Sequence, residues 1–451
     1  MKSLLQSAAE RSIRYLDGLD NRPVTPDPTA TAQLHQLDEP LPPAPSDPER
    51  ILQLLDERCS PATMGMAGSR FFGFVIGGSI PVTLAANWLA GAWDQNSALY
   101  NVTPATAHLE QLALRWLLDL LGLPAESGGA FVTGATVANF AALAAARHHV
   151  YTKAGWDIEG KGLIGAPPVN VIIGEEAHPS VFKSLGLLGL GRNRAKKVPV
   201  DGQGRMRADA LPKMSGPTIV CVQAGNVNTG AFDPIEAICA KAHDAGAWVH
   251  VDGAFGLWAA AAPSRQHLTT GVSKADSWAT DAHKWLNVPY DSGLAFVRDR
   301  EALRAAMAIT AEYLPTETEH RNPSDYVPEL SRRARGVEIW AALKTLGRSG
   351  TGEMIERTCA HARKFADVLG QAGYEILNEV VLNQVLVSFG DAATTQKVIA
   401  EIQKEGTCWA GPTVWQGRTA MRISVSSWAT TDEDVDKSLE AMIRCARHHT
   451  K

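Results

Sequence analysis

The chain lacks the features that mark membrane, metal-binding and nucleic-acid-binding proteins. None of its apolar runs reaches the roughly 18 residues that a membrane-spanning helix requires. Its six cysteines are widely spaced, with no Cys-x-x-Cys pair and no cysteine–histidine spacing, which argues against a metal site. Basic residues are scattered and the net charge is −5, so no basic stripe for nucleic acid is present.

Composition and the start of the chain indicate a globular cytoplasmic protein. With 451 residues and 45% hydrophobic content, the chain is long enough for two or three structural units. Glu10 and Arg11 follow soon after the start, so we expect no secretory signal peptide. Unpaired, scattered thiols are typical of a reducing compartment. We therefore expect a cytoplasmic location.

The N-terminal part predicts a helix followed by an arm. Residues 1–20 have the pattern of a short amphipathic helix, and residues 21–48 contain eight prolines. Such a density of proline favours an extended segment over a regular helix. We expect this arm, within an N-terminal unit of residues 1–75, to embrace a partner subunit; a mobile tail is the alternative.

Strand and helix patterns alternate from residue 129 to about 300, which favours a mainly parallel sheet covered by helices. A long helical pattern at about 330–347 then runs into Gly347, Gly350 and Gly352. We predict a large α/β domain at 76–347 and a small α+β domain at 348–451. Strands are predicted at 130–132, 169–173, 218–222, 248–251, 294–297, 380–382, 385–389 and 421–425, and helices at 48–58, 80–93, 105–121, 136–148, 179–188, 235–245, 301–307, 394–404 and 431–447.

A carboxylate and a lysine stand at the ends of two of these segments. Asp252 ends the apolar run Ala247–Val251, and Lys284 lies in a short polar turn before Trp285 and Leu286. Pyridoxal phosphate chemistry requires this pair of residue types. The lysine forms a Schiff base with the aldehyde, and the aspartate keeps the pyridine nitrogen protonated so that the ring accepts electrons.

Three further segments suit such a cofactor. Gly134, Ala135 and Thr136 open a helix directly after a strand, where backbone N–H groups bind phosphate. His178 follows the strand at 169–173, at an edge where ligands bind and where a ring can stack on a flat cofactor. In the loop 225–234, Asn228 and Thr229 either reach the cofactor or substrate, or belong to a turn closed by an Asx hydrogen bond.

Taken together, these motifs resemble the pyridoxal-phosphate-dependent group II amino acid decarboxylases, over about residues 50–451. The aromatic-amino-acid, glutamate and diaminobutyrate decarboxylases are among them. The resemblance rests on Asp252-Gly253-Ala254-Phe255, Asp281 to Trp285, Asn228 to Ala231, Phe71 to Phe74, and Thr103 to Thr106 with Glu110 on the following helix.

The resemblance implies a type I aminotransferase-like fold, with a mainly parallel sheet of the seven-stranded type, and a homodimer with sites at its interface. It implies that Lys284 is the Schiff-base lysine, that His178 stacks on the ring and that Asp252 pairs with the pyridine nitrogen. A tyrosine on a loop after the lysine serves as proton donor in this family; Tyr326 fits best and Tyr313 is the competitor. The remaining cofactor contacts would come from Gly134, Ala135, Thr136, Thr229, Ala254 and His283, and substrate contacts from Phe74, Tyr100 and Arg422.

The implied reaction is decarboxylation of an L-amino acid to its amine and CO₂ through an external aldimine and a quinonoid. The aromatic residues Phe72, Phe74, Trp88, Trp93 and Tyr100 favour an aromatic or medium-sized side chain. Asn226, Gly253 and the pair Phe74-Val75 depart from the family pattern and leave the substrate open. A Cα–Cβ lyase of the aldolase type, an aminotransferase and a non-catalytic pyridoxal phosphate scaffold remain alternatives.

Overall fold

The structure is a computed structural model that describes residues 1–309 and 320–449. The chain forms two compact units. The larger comprises Ser79–Ala360 and Asn378–Gln384, and the smaller comprises Met1–Gly78, His361–Leu377 and Val385–Lys451. The domain bounds expected from the sequence, 1–75, 76–347 and 348–451, stay a proposal.

A seven-stranded sheet forms the centre of the larger unit, as the described residues show it. Its order is β1-β7-β6-β5-β4-β2-β3, and β7 runs antiparallel to β1 and β6 while the other recorded pairs are parallel. The predicted mainly parallel sheet is confirmed. The strands are β1 (Gly128–Val132), β2 (Asn170–Gly174), β3 (Lys196–Val198), β4 (Thr218–Gln223), β5 (Trp248–Asp252), β6 (Ser277–Asp281) and β7 (Gly293–Val297).

Helices pack on this sheet through small apolar side chains. In the central helix α6, Ala138, Ala141, Ala142 and Ala145 are fully buried, and such small side chains let a helix approach a sheet closely. The helices of this unit are α4 (Pro81–Trp93), α5 (Pro104–Leu120), α6 (Ala135–Lys153), α7 (Ile158–Lys161), α8 (Pro179–Leu187), α9 (Ile235–Asp244), α10 (Arg300–Met307) and the first part of α11 (Gly336–Gln371), which is kinked at Gly347.

The strand directions bring several chain segments to one edge of the sheet. Since β1, β2, β4, β5 and β6 run the same way, their carboxyl ends meet there, where ligands bind in open α/β sheets. At this edge β7 passes directly against the turn before α6. A Cβ on Gly293 would lie 2.4 Å from the Cα of Gly134, so only glycine fits at position 293.

The smaller unit combines a four-stranded sheet with helices. Its sheet order is β10-β11-β9-β8, which agrees with the α+β character expected for the C-terminal part. The strands are β8 (Glu375–Ile376), β9 (Gln384–Ser388), β10 (Gly411–Trp415) and β11 (Arg418–Ser424), and the helices are α1 (Lys2–Asp17), α2 (Pro28–Ala32), α3 (Pro48–Leu54), α12 (Ala392–Glu405) and α13 (Asp432–Arg447).

Two local predictions are wrong. The segment 21–48 is not extended throughout, because Asp27 accepts a hydrogen bond from the Thr29 amide at 2.7 Å and Pro28 occupies the first position of α2. Proline is favoured at that position, where its missing N–H is not needed. Residues 380–382 form no strand: Val380 has a φ of 48°, which an extended chain cannot contain.

A buried ion cluster joins α5 to the segment before α11. The carboxylate of Glu110 accepts hydrogen bonds at 2.8 Å from both Arg321 and Arg332, and all three side chains are buried. Arg321 also donates to the carbonyl of Gly129, and Arg332 donates to that of Phe131 at 2.8 Å. The cluster therefore ties β1 to this segment, since leaving one of these charges unpaired would be costly.

Within the described ranges, no helix combines the length and the apolar character needed to cross a membrane. Over the same residues, no group of three or more histidine, cysteine or acidic side chains forms a potential metal site.

Candidate active site

Asp252 is a buried carboxylate at the end of β5. Its Oδ1 accepts a hydrogen bond from the Ala254 amide at 3.2 Å, and its Oδ2 accepts one from Asn139 Nδ2 at 3.4 Å. Burial raises the pKa of Asp252, while electrostatic interaction with the nearby His178 and Lys284 lowers it. The structure therefore brings these three predicted residues together around one carboxylate.

Lys284 follows Asp281 in the turn after β6. Its Nζ lies 3.2 Å from Asp281 Oδ2, while Asp281 Oδ1 accepts a hydrogen bond from the Ala135 amide at 2.5 Å. An acidic side chain thus already contacts the first N–H of α6. This contact shows that the start of the helix accepts negatively charged oxygen, as a phosphate group requires.

Backbone hydrogen bonds connect the Asp252 turn to the Lys284 turn. Gly253 N donates to Ala279 O at 2.8 Å, and Asp281 N donates to Ala254 O at 2.9 Å. These two bonds join the turns, so the position of Asp252 constrains the position of the segment that carries Lys284.

His283 is held beside the start of α6. Its Nδ1 donates to the carbonyl of Ser292 at 2.9 Å, and its ring stacks on Tyr290 with centroids 4.2 Å apart. Burial lowers the pKa of His283, which favours a neutral ring. Its Nε2 lies 3.8 Å from Asp281 Oδ2, so it faces the same position as the Ala135 amide.

His178 caps helix α8. Its Nδ1 accepts a hydrogen bond from the Ser180 amide at 3.2 Å and contacts Ser180 Oγ at 2.7 Å. Since an acceptor nitrogen carries no hydrogen, Nε2 bears the proton of the neutral ring. The cap thereby fixes the ring orientation of a residue predicted to stack on the cofactor.

The loop 225–234 is closed by an Asx interaction, one of the two readings that the sequence left open. Asn226 Oδ1 accepts hydrogen bonds from the amides of Asn228 at 2.9 Å and Thr229 at 3.2 Å. The hydroxyl of Thr229 donates to Gln203 O at 2.7 Å and is buried. The role of Thr229 in cofactor binding stays a prediction.

Local contacts account for two departures from the family pattern, Gly253 and Asn226. A Cβ added to Gly253 would lie 2.8 Å from the Cβ of Leu257, closer than side-chain carbons approach each other. Glycine at this position is therefore explained by the adjacent turn, and Asn226 by the loop that it closes. Neither departure requires an unusual substrate.

Tyr326 lies in the core of the larger unit. It is fully buried, its hydroxyl accepts a hydrogen bond from Arg300 Nε at 2.8 Å, and the guanidinium of Arg321 lies 4.3 Å from its ring centroid. The role of Tyr326 as proton donor stays a prediction, but this environment favours packing over proton transfer. Its competitor, Tyr313, lies outside the described residues.

The predicted substrate contacts fall in both units. Tyr100, in the larger unit, stacks on His320 with centroids 3.8 Å apart. Phe74 and Arg422 belong to the smaller unit; Phe74 is 58% exposed, and burial lowers the pKa of Arg422. Phe72 is buried against Phe365, which indicates a packing role.

Comparison with known proteins agrees with this arrangement. The family model of the pyridoxal-dependent decarboxylase conserved domain matches residues 31–390, about four-fifths of the chain. The chain belongs to this family. It is therefore a carboxy-lyase that uses pyridoxal phosphate to decarboxylate an amino acid.

Relatives of this decarboxylase differ in the substrates that their names give. The chain is 26% identical to an aromatic-L-amino-acid decarboxylase of Bacillus atrophaeus, over 96% of this chain and 93% of the relative. It is 27% identical to tryptophan decarboxylase 1 of Oryza sativa subsp. japonica, over 98% and 92%. It is also 27% identical to human cysteine sulfinic acid decarboxylase, over 74% and 73%.

The fold of the decarboxylase matches that of solved structures. An Oryza sativa structure described as TDC with PLP and tryptamine superimposes with a TM-score of 0.92 at 23% identity, covering 100% of this chain and 98% of that one. A mouse CSAD structure gives a TM-score of 0.90 at 24% identity, covering 99% and 98%. The predicted type I aminotransferase-like architecture is confirmed.

The residues present fit pyridoxal phosphate. Asp252 is buried and receives hydrogen bonds from two neutral amides, so a protonated ring nitrogen would supply the positive partner that its carboxylate needs. The Ala135 amide already donates a hydrogen bond to a carboxylate oxygen at the start of α6, and Lys284 is held at the same edge. Gly134, Thr136 and Ala254 lie on the same two turns; their contacts with the cofactor stay predictions.

Sequence patterns missed three residues at this edge. The sequence places Asp281 in a motif but does not indicate its contacts with Lys284 and the Ala135 amide. The contact with Ala135 joins positions 146 residues apart. Asn139 and His250 look like ordinary helix and strand residues. For His250 the available signal is its alternation with Asp252, since residues 250 and 252 of a strand share one face.

The first prediction concerns Lys284. Reduction of the cofactor-loaded enzyme with borohydride should fix the cofactor on the peptide that contains Lys284, and Lys284→Ala should abolish both this label and the long-wavelength absorbance. Lys274→Ala is the matched control, since Lys274 is an exposed lysine paired with Glu236. A long-wavelength band that survives in Lys284→Ala would contradict the assignment.

The second prediction separates the two tyrosines. Tyr313→Phe should slow amine formation about a hundredfold without changing thermal stability, because proton transfer by a positioned group contributes about this much. Tyr326→Phe should lower the free energy of unfolding by about 1 kcal/mol through loss of the Arg300 hydrogen bond and should leave the rate nearly unchanged. Steady-state kinetics and thermal melts measure both. A slow Tyr326→Phe variant with normal stability would restore Tyr326 as the donor.

Proposed function

We propose that the enzyme decarboxylates an L-amino acid with an aromatic or medium-sized side chain. The observation that carries this proposal is the extent of the matches: the two aromatic-type relatives align over 96% and 98% of the chain, and the cysteine sulfinic acid relative over 74%. Sequence similarity to the aromatic-type relatives therefore extends over more of the chain, which supports the proposal.

The proposed roles of the residues follow from their positions. When bound, pyridoxal phosphate supplies an aldehyde for the substrate amine and a ring that takes up the electrons of the bond to CO₂. Lys284 would hold the cofactor through its side-chain amine. The Ala135 amide receives phosphate oxygen, Asp252 keeps the ring nitrogen protonated, and His178 covers one face of the ring.

The protein selects which bond breaks by orienting the substrate. Only a bond perpendicular to the ring plane overlaps its electrons, so groups that hold the carboxylate out of that plane favour loss of CO₂. We propose that Arg422, whose charged form is disfavoured by burial, serves as an anion contact for the substrate. An acidic side chain would compete for such a contact, which makes acidic amino acids the second substrate class to test.

Backbone strain supports a functional role for Phe74. Both Phe74 and Val75 adopt left-handed φ angles, 56° and 57°, which non-glycine residues rarely do. Such strain is concentrated at functional sites, where the surrounding structure maintains it. Val75 is buried while Phe74 stays 58% exposed, so the turn presents an aromatic ring to solvent instead of burying it. We propose that this ring contacts the substrate side chain.

The third prediction is the outcome of a substrate screen. The loaded enzyme should release CO₂ and the matching amine from tryptophan, tyrosine or phenylalanine faster than from glutamate, aspartate or cysteine sulfinate, as mass spectrometry of the products would show. Phe74→Ala should raise KM for the preferred aromatic substrate, with Val414→Ala, another exposed apolar residue of the smaller unit, as control.

Other product patterns would redirect the proposal. A preference for acidic substrates would replace the aromatic assignment. An aldehyde released without CO₂ would indicate the Cα–Cβ lyase, and dependence on a keto acid would indicate the aminotransferase.

We also propose that the enzyme is a homodimer. Helix α4 exposes Trp88, Leu89 and Trp93, at 44%, 55% and 44% of their surfaces, although large apolar residues are usually buried. A cluster of exposed apolar side chains on one helix is typical of a protein–protein interface. A second copy of this chain is the occupant that the family resemblance implies.

The fourth prediction tests this interface. Leu89→Asp should convert a dimer into a monomer, because a charge in an apolar interface is left without a partner. Ile164→Asp, at a residue 95% exposed elsewhere in the same unit, should leave the dimer intact. Light scattering after size-exclusion chromatography gives the mass of each variant. A dimeric Leu89→Asp protein would place the interface elsewhere.

A cytoplasmic location is a further part of the proposal. The described structure contains six free cysteines, five of them buried, and such thiols persist in a reducing compartment. Cell fractionation with an antibody against the enzyme would test the location; recovery from an oxidising compartment would contradict it.

A further inference from the structure

A hydrogen-bonded chain of buried polar side chains lies behind Asp252. His250 and Asp252 alternate on β5, so both side chains face helix α6, where Asn139 lies. His250 Nε2 is 2.8 Å from Asn139 Oδ1, and Asn139 Nδ2 is 3.4 Å from Asp252 Oδ2. Asn139 and His250 are fully buried, and the roles described so far leave them without a function.

The donors and acceptors of this chain run in one direction. Trp248 Nε1, which can only donate, bonds Ser277 Oγ at 2.9 Å, and that hydroxyl in turn lies 2.9 Å from His250 Nδ1. Because Nε2 lies beside Asn139 Oδ1, which can only accept, the proton of the neutral ring is on Nε2, and the serine hydroxyl donates to Nδ1. Burial lowers the pKa of His250 to about 3, so the ring stays neutral at physiological pH.

The contacts at both ends of this hydrogen-bonded chain, with His250 and with Asp252, give Asn139 the same orientation. The Nε2–H of His250 requires an acceptor, which is Asn139 Oδ1, and the carboxylate of Asp252 requires a donor, which is Asn139 Nδ2. If the amide were rotated by half a turn, its NH₂ would face the N–H of His250 and its oxygen would face the carboxylate. Both contacts would then be repulsive, so the amide is locked.

The same amide group also reaches His178. Asn139 Nδ2 lies 3.4 Å from Ser180 Oγ, which contacts His178 Nδ1 at 2.7 Å. One NH₂ group is thus shared between the carboxylate predicted to pair with the ring nitrogen and the serine that orients the stacking histidine.

We propose that Asn139, locked by His250, is a positioning residue that keeps the Asp252 carboxylate ionised and aimed at the cofactor nitrogen. A neutral donor favours the ionised form of a buried carboxylate without cancelling its charge. A cationic donor at this place would compete with the ring nitrogen for the carboxylate. The charge of Asp252 therefore remains available to hold the nitrogen proton.

The proposal rests on the cofactor assignment and is tested by the fifth prediction. Asn139→Leu keeps the branching and the number of side-chain heavy atoms but cannot form hydrogen bonds. In enzyme loaded with ¹⁵N-labelled pyridoxal phosphate, this variant should lower the pKa of the ring nitrogen by about one to two pH units. NMR of the label reports the nitrogen proton directly, which a purely structural role would not change.

Variants of His250 provide conservative rescue and an independent test. His250→Leu removes the group that orients Asn139 and should shift the nitrogen pKa in the same direction by less. His250→Gln keeps an amide donor and should restore most of the wild-type value. Trp278→Phe is the control for the cost of a lost buried hydrogen bond in this sheet, that to Val272 O at 2.8 Å, and should leave the nitrogen pKa unchanged.

Kinetics with a modified cofactor complete the test. With pyridoxal phosphate, Asn139→Leu should lower kcat about ten- to a hundredfold and change KM little. With 1-deazapyridoxal phosphate, in which carbon replaces the ring nitrogen, wild type and Asn139→Leu should have equal kcat, because the atom that Asp252 serves is missing.

The possible failures are distinguishable. If wild type carries no lysine-linked cofactor, the cofactor assignment itself fails. If wild type is loaded normally and neither Asn139→Leu nor His250→Leu changes the nitrogen pKa, the positioning role is refuted. Should Asn139→Leu not fold, as a thermal melt would show, His250→Leu against His250→Gln decides.

Discussion

The burial of one negative charge is the constraint around which the larger unit is organised. Asp252 ends a strand that is covered on both faces, and its burial raises the pKa of its carboxyl group. A buried carboxylate persists only with donors and a positive partner. Ala254 and Asn139 supply the donors, and we propose the cofactor nitrogen as the positive partner. The candidate active site thus contains a carboxylate whose ionised form is disfavoured by burial in the protein without a bound cofactor.

The second constraint is the start of α6, where an anion is favoured. Asp281 contacts both the Ala135 amide and Lys284, so one carboxylate links the helix start to the lysine. Gly293 allows β7 to pass within contact of the turn at Gly134, which holds this helix start against the sheet. The start of α6 and Lys284 are therefore joined through the side chain of Asp281.

That Asp252, His178 and Lys284 lie together could be predicted from the sequence because they follow strand ends. Asp252, His178 and Lys284 follow apolar runs, and the parallel order brings such ends to one edge. Asn139 and His250 could not, since a buried asparagine and a histidine within a strand carry no local signal and their contact spans 111 residues. The position of Tyr326 in the chain does not reveal its burial against Arg321, which depends on tertiary packing. The prediction of an extended arm is wrong at Asp27 and Pro28, where a helix-capping hydrogen bond stabilises a short helix despite the density of proline.

A crystal structure of the protein loaded with pyridoxal phosphate would test the central claim most directly. The account predicts continuous density from Lys284 Nζ to the cofactor, with a carboxylate oxygen of Asp252 about 2.6–3.2 Å from the ring nitrogen. Asn139 should then keep its contacts with His250 and Asp252. A ring nitrogen that faces any group other than Asp252 would contradict the account.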